Sequence, residues 1–284
     1  MPVLILSGLI FLSSLFAPLI EPNQSVKSAL PTSKALAEEL PPLDIKAEGV
    51  MVSDASTGEE LITYHKDTEW SIASLTKVMT ALVYINQNPD MERIVDMTQE
   101  DFVGGATLKV PIGTRFRALD LLHSSLMSSA NNSTNALLRG TDMTREQFID
   151  AMNKKAKDLG LKNTQFVEPT GLDPNNKSTP SEYTVIIGEA LKNKTIAEVM
   201  AKTHYEMTPL NHPNFPIGTT NKLLKQETAY EVKGGKTGFT DGSDYNFATQ
   251  IKNGDQELVI VVFGDETFDG EIESSKKLID ETMK

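Results

Sequence analysis

Ser74 and Lys77 stand three residues apart. On a helix that is one turn, so the hydroxyl and the amine share a face. The chemistry open to such a pair is nucleophilic: a neutral amine takes the serine proton and the oxygen attacks an acyl carbon. The pattern alone is weak. Ser274-Ser275-Lys276-Lys277 repeats it in a charged, amphipathic tail, where it reads as a solvated face, and Ser74 by itself could equally cap a helix beside a snorkelling lysine. Two further stretches carry polar groups that could join a cleft. Ser129-Ala130-Asn131 lies between two helical segments, at a bend from which side chains can project, or where they simply cap the next helix. Lys233-Gly234-Gly235-Lys236-Thr237-Gly238-Phe239-Thr240 reads as a strand with three glycines. Glycine weakens a strand interior, so three of them imply close approach of another backbone or a ligand; the plainer alternative is a bent edge strand with a surface Lys236.

The elements that must position these groups follow from patterning. Leu75, Val78, Met79, Leu82, Val83 and Ile85 fall at helical spacing over a wide apolar face, which predicts a buried helix with Ser74 and Lys77 in its first turn. Before it, 48–54 and 60–64 read as a hairpin around Ser56-Thr57-Gly58. Residues 93–117 look irregular. Helices are expected over about 118–127, over 145–159 with the capping box Thr144-x-x-Gln147, and after Thr179-Pro180. Strands return at 230–237, and 246–252 pairs with 258–263 across Asn253-Gly254, with a last helix near 268–283. Strands at both ends around a helical middle predict an α+β fold: an antiparallel sheet built from both chain ends, packed with helices, plus a helical lobe and a cleft between.

Composition narrows the function classes. The 284 residues carry 27 Lys+Arg against 39 Asp+Glu, a formal charge of −12, which argues against nucleic acid as a partner. The chain has no cysteine, so disulfides, thiol catalysis and cysteine–zinc sites are excluded. Four histidines (His65, His123, His204, His212) lack metal-ligand spacing, and the expectation is no metal and no cofactor. The cluster Asp265, Glu266, Asp269, Glu271, Glu273 reads as a solvated face, and His123 as a packing residue. Residues 3–20 are uncharged, so 1–20 are expected to be a signal peptide or N-terminal membrane anchor and 21–43 a flexible tether, with the folded domain over 44–284. That arrangement predicts an exported, cell-envelope protein, touching the membrane through its N-terminal segment if that is uncleaved.

Ser-x-x-Lys, Ser-x-Asn and Lys-Thr-Gly in this order, with the flanking text Ile72-Ala73-Ser74-Leu75-Thr76-Lys77-Val78-Met79, Pro169-Thr170-Gly171-Leu172 and Gly235-Lys236-Thr237-Gly238-Phe239-Thr240-Asp241, resemble the serine D-alanyl-D-alanine carboxypeptidases, the low-molecular-mass penicillin-binding proteins. The resemblance implies a β-lactamase/transpeptidase-like fold and a serine D,D-peptidase that removes the terminal D-alanine of peptidoglycan stem peptides, with β-lactams as covalent inhibitors. It implies Ser74 as nucleophile, Lys77 as its base and Ser129 as proton relay. Asn131, Lys236, Thr237 and Gly238 would bind substrate, and the backbone N–H groups of Ser74 and Phe239 would form the oxyanion hole. Asn132-Ser133 stands where many carboxypeptidases carry Asp-Ala, which shades the resemblance towards endopeptidases that cut D-alanyl cross-links. A class A β-lactamase would need a Glu-x-x-x-Asn loop, whereas Glu168 is followed by Pro169-Thr170-Gly171-Leu172. A non-catalytic peptidoglycan-binding module would need no nucleophile–base pair.

Overall fold

The computed structural model describes residues 43–284; the expected leader and the tether up to residue 42 lie outside the described residues. In chain order the elements begin with strands β1 (Gly49–Asp54), β2 (Glu60–Tyr64) and β3 (Trp70–Ser71). Helix α1 (Thr76–Asn86) follows, then β4 (Ile94–Asp96), β5 (Arg115–Arg117) and the helices α2 (Ala118–Met127), α3 (Asn131–Arg139) and α4 (Arg145–Asp158). After β6 (Lys177–Ser178) come α5 (Pro180–Lys192), α6 (Lys194–Met200), β7 (His204–Met207) and β8 (Phe215–Gly218). The chain ends with β9 (Glu231–Thr240), β10 (Asp244–Asn253), β11 (Gln256–Asp265) and α7 (Gly270–Thr282).

The main sheet is antiparallel with the order β2-β1-β11-β10-β9, so both chain ends build it. β1 lies along β11 with Val52 opposite Ile260. β11 is apolar without interruption from Leu258 to Phe263 because both of its faces are covered. Val259, Val261 and Phe263 join the core shared with Ile186 and Ile187 of α5, while Leu258, Ile260 and Val262 pack with Ile272, Leu278 and Ile279 of α7. Successive side chains point to opposite faces, so a run of six apolar residues feeds two cores at once. α1 is buried almost all round, from Thr76 to Tyr84, and sits among α2, α4 and α5.

Four expectations shift. The β10–β11 hairpin pairs Asn253 with Gln256, so its loop is Gly254-Asp255, one residue beyond the expected Asn253-Gly254, with Gly254 at φ +59°. A glycine in the first loop position is what a type II′ connection prefers. The stretch 93–117 holds a small ribbon, β4 against β5, and a second ribbon, β7 against β8, lies beyond α6. Both are too short for alternation to show in the sequence. Ser274 is not on a solvated face. It is 4% exposed and donates to Asp265 Oδ2 at 2.6 Å, because α7 lays this side on the end of β11. The acidic cluster is likewise only partly solvated, with Asp265 and Glu271 1% and 5% exposed. Among the described residues no helix is long and apolar enough to cross a membrane, and no group of three or more His, Asp or Glu is placed to hold a metal ion.

Candidate active site

Ser74 lies on a single 3-10 turn, Ala73–Leu75, that leads into α1, one step ahead of the regular helix in which it was expected. Ala73 is held at φ +45°, a left-handed conformation costly for a residue with a side chain. Such strain persists only where the surroundings over-determine it. Gly171 is pressed on this turn, where a Cβ at 171 would fall 1.9 Å from the Ala73 carbonyl oxygen. From the other side comes β9, the edge of the sheet. A Cβ on Gly238 would meet the Ile72 carbonyl oxygen at 2.9 Å and the Ser74 amide nitrogen at 3.1 Å. Glycine at 238 is therefore a condition for the strand to reach the serine.

Lys77, one turn on, is fully buried with Nζ 2.8 Å from Ser74 Oγ, and it donates to the Thr170 carbonyl at 2.6 Å. Burial pulls its amine down to about 7, against the opposing pull of the Glu168 carboxylate. Across the cleft Lys236 is also fully buried. Its Nζ donates to Ser129 Oγ at 3.0 Å and to the Thr237 carbonyl at 2.7 Å. Burial holds this amine well below the ordinary lysine range, and the nearby Lys77 lowers it further. Burial thus depresses Lys77, and the amine–amine repulsion is felt at Lys236.

Ser129 occupies the α2–α3 bend at φ +61°. Asn131 opens α3 and donates through Nδ2 to the Gly104 carbonyl at 2.9 Å, while its Oδ1 is buried with no hydrogen-bond partner among the described residues. Asn132, also buried, holds the Leu108 backbone with both ends of its amide, at 2.9 and 3.0 Å. Thr237 Oγ1 donates to Thr220 Oγ1 at 2.6 Å. Ser74, Ser129, Asn131, Thr220 and Thr237 line one cleft of about 450 Å³, together with Leu172, Phe239 and Tyr245. Three other aromatics, Trp70, Phe166 and Tyr205, serve packing. Trp70 donates to the Ser243 carbonyl, Phe166 is buried, and Tyr205 stacks on His123 and donates to Asp120.

Sequence reasoning missed three contributors. Glu168 accepts from Thr170 N and Oγ1 (2.8 and 2.6 Å), Gly171 N, Leu172 N (2.9 Å) and Asn176 Nδ2 (2.8 Å), so one carboxylate fixes the loop whose carbonyl holds Lys77. Thr220 partners Thr237 from a stretch with no sequence signal. Glu271 reaches the cleft from the N-terminal turn of α7. Chemically the cleft offers a hydroxyl beside an amine whose protonation burial brings down to the neutral range, a second amine 3.0 Å from another hydroxyl, and the Ser74 backbone N–H: groups that acyl transfer can use.

A family model described as D-alanyl-D-alanine carboxypeptidase matches residues 34–267. A D-alanyl-D-alanine endopeptidase of Escherichia coli is 31% identical over 259 residues, 90% of this chain and 81% of that protein. A protein of the same name from Pseudomonas aeruginosa is 29% identical over 258 residues, 89% and 80% of the two chains. Among solved structures, a D-alanyl-D-alanine carboxypeptidase of Mycobacterium tuberculosis superposes with a TM-score of 0.77 at 26% identity, over 85% of this chain and 92% of that one.

Proposed function

Because the chain belongs to the D-alanyl-D-alanine carboxypeptidase family, we propose that it is a serine D,D-peptidase of the cell envelope acting on peptidoglycan stem peptides through an acyl-enzyme on Ser74. The observation that carries this reading is the Ser74 Oγ–Lys77 Nζ distance of 2.8 Å at a lysine whose pKa burial pulls down to about 7. Lys77 takes the Ser74 proton as the oxygen attacks the carbonyl of the penultimate D-alanine. The negative charge that forms on that carbonyl oxygen falls to the backbone N–H groups of Ser74 and Phe239. Ser129, bonded to Lys236, returns a proton to the departing amine. The terminal carboxylate is taken by Lys236 and Thr237, and this counter-charge restores the Lys236 ammonium that burial disfavours. Asn131 holds the peptide backbone through the Oδ1 that lacks a partner. Water then releases the acyl group.

The primary activity proposed is release of the terminal D-alanine. A second reading, opening of D-alanyl cross-links, is favoured by Asn132 in the place of the carboxypeptidases' aspartate and by the names of the E. coli and P. aeruginosa relatives. β-Lactams are expected to acylate Ser74 and to leave slowly, since the Glu168 carboxylate is committed to its loop and is not free to activate water. Incubation with purified muropeptides and weighing of the products tests both readings. Loss of one D-alanine marks a carboxypeptidase and conversion of dimers into monomers an endopeptidase; inertness on both overturns the assignment. Rapid turnover of nitrocefin overturns the β-lactam expectation.

A further inference from the structure

The cleft runs on past Thr237. Phe239 stacks on Tyr245 at 4.4 Å, Phe268 stands edge-on to Tyr245 at 5.8 Å, and beyond them Lys222, Asp269 and Glu271 close the corner. Phe239 and Phe268 are 47% and 73% exposed, an apolar rail left open to solvent. Glu271 is the reverse: 5% exposed, with an Oε2 that is buried and has no hydrogen-bond partner among the described residues. A buried acceptor without a donor is costly, and its neighbours do not supply one. Lys222 is engaged with Asp269 and lies 4.3 Å from the Phe268 ring centroid. Asp265, behind it, already accepts from Ser274 and Thr267. Burial, with Asp269 and Asp265 close by, pushes the Glu271 carboxyl up to about 7, against the pull of its own backbone N–H and of Lys222.

We propose that this arm is the subsite for the leaving strand of a cross-linked peptide, with an alkyl spacer laid along Phe239, Tyr245 and Phe268 and an N–H donor at its far end received by Glu271. The inference rests on the reading above, in which Lys236 and Thr237 hold the terminal carboxylate, because that puts the leaving residue on the Thr237 side of Ser74. A departing D-alanine, whose side chain is a methyl group, ends beside Thr237. A diamino-acid residue, joined through one amine and carrying its chain onward, has both the spacer and the distant N–H that the arm fits.

The test compares kcat/KM on a cross-linked muropeptide dimer with kcat/KM on its uncross-linked monomer, in the wild type and in Glu271→Ala and Phe268→Ala. The ratio of dimer to monomer is expected to fall about 10-fold in Glu271→Ala, the effect of losing a hydrogen bond to a buried carboxyl, and less in Phe268→Ala. Phe268 is exposed, so the second variant keeps the test alive should the first lose its cooperative thermal transition. An unchanged ratio in a wild-type background that opens dimers overturns the subsite and leaves the peptidase reading standing, as does a wild type that releases D-alanine but spares dimers. A wild type inert on both substrates overturns the reading and the subsite with it.

Discussion

The chain contains Ser-x-x-Lys twice, and the two copies have opposite fates. At Ser74 the lysine is fully buried, 2.8 Å from the hydroxyl, with two glycines letting a loop and a strand close on the turn. At Ser274 the hydroxyl is the more buried of the two, yet it is spent on Asp265 at 2.6 Å, and Lys277 points away to the Asp44 carbonyl at 2.7 Å with its side chain 42% exposed. Burial of the serine is therefore not what makes a nucleophile. Burial of the amine is what sets the Ser74 copy apart, because a desolvated lysine gives up its proton near neutrality.

The contrast can be broken at several points. Ser74→Ala is expected to remove peptidase activity by roughly 10⁴-fold or more, the scale seen when a nucleophile is lost, and to abolish the covalent penicillin adduct seen by mass spectrometry. In the wild type the acylation rate should rise with pH through an apparent pKa of about 7 and then level off, since the reactive form is neutral Lys77; a rate flat from pH 5 to 9 would discard Lys77 as the base. The same burial bears on stability with a definite sign. Between about 7 and 10.5 the unfolded chain binds a proton at Lys77 that the folded one does not, so this group's contribution to stability rises with pH in that window. Lys77→Met should accordingly raise Tm more at pH 6 than at pH 9, while ending turnover. Gly238→Ala, which pushes β9 off the nucleophile turn, should cost about 10²-fold in kcat/KM, as a displacement near 1 Å does elsewhere. Ser274→Ala, the smallest change, should leave acylation within about 2-fold and lower stability by about 1 kcal/mol through the Asp265 bond, measured by denaturant unfolding.

Much of the site was legible because its groups announce themselves locally. Ser74 and Lys77 head a helix whose apolar spacing is unmistakable, and Gly238 is odd enough in a strand to demand a close neighbour, which turned out to be the Ser74 backbone. The sheet was legible for a similar reason: β1 and β11 are strongly apolar and turn-bounded, and only their mutual pairing required the fold. What could not be read were groups defined by their partners. Glu168 looks like any loop acid until five donors converge on it. Glu271 sits in a run of acids whose pattern says solvent, and only the packing of α7 on the sheet buries it. The β4–β5 and β7–β8 ribbons, three and four residues to a strand, carry too little alternation to be seen.

The strand order has a consequence for biosynthesis. β1 and β2 leave the ribosome early as a lone hairpin, a unit marginal in water by itself, and the next strand of their sheet, β11, ends only at Asp265. The domain therefore cannot lock its sheet, or bring Lys236 up to Ser74, until the chain has been made as far as Asp265, more than two hundred residues after β1.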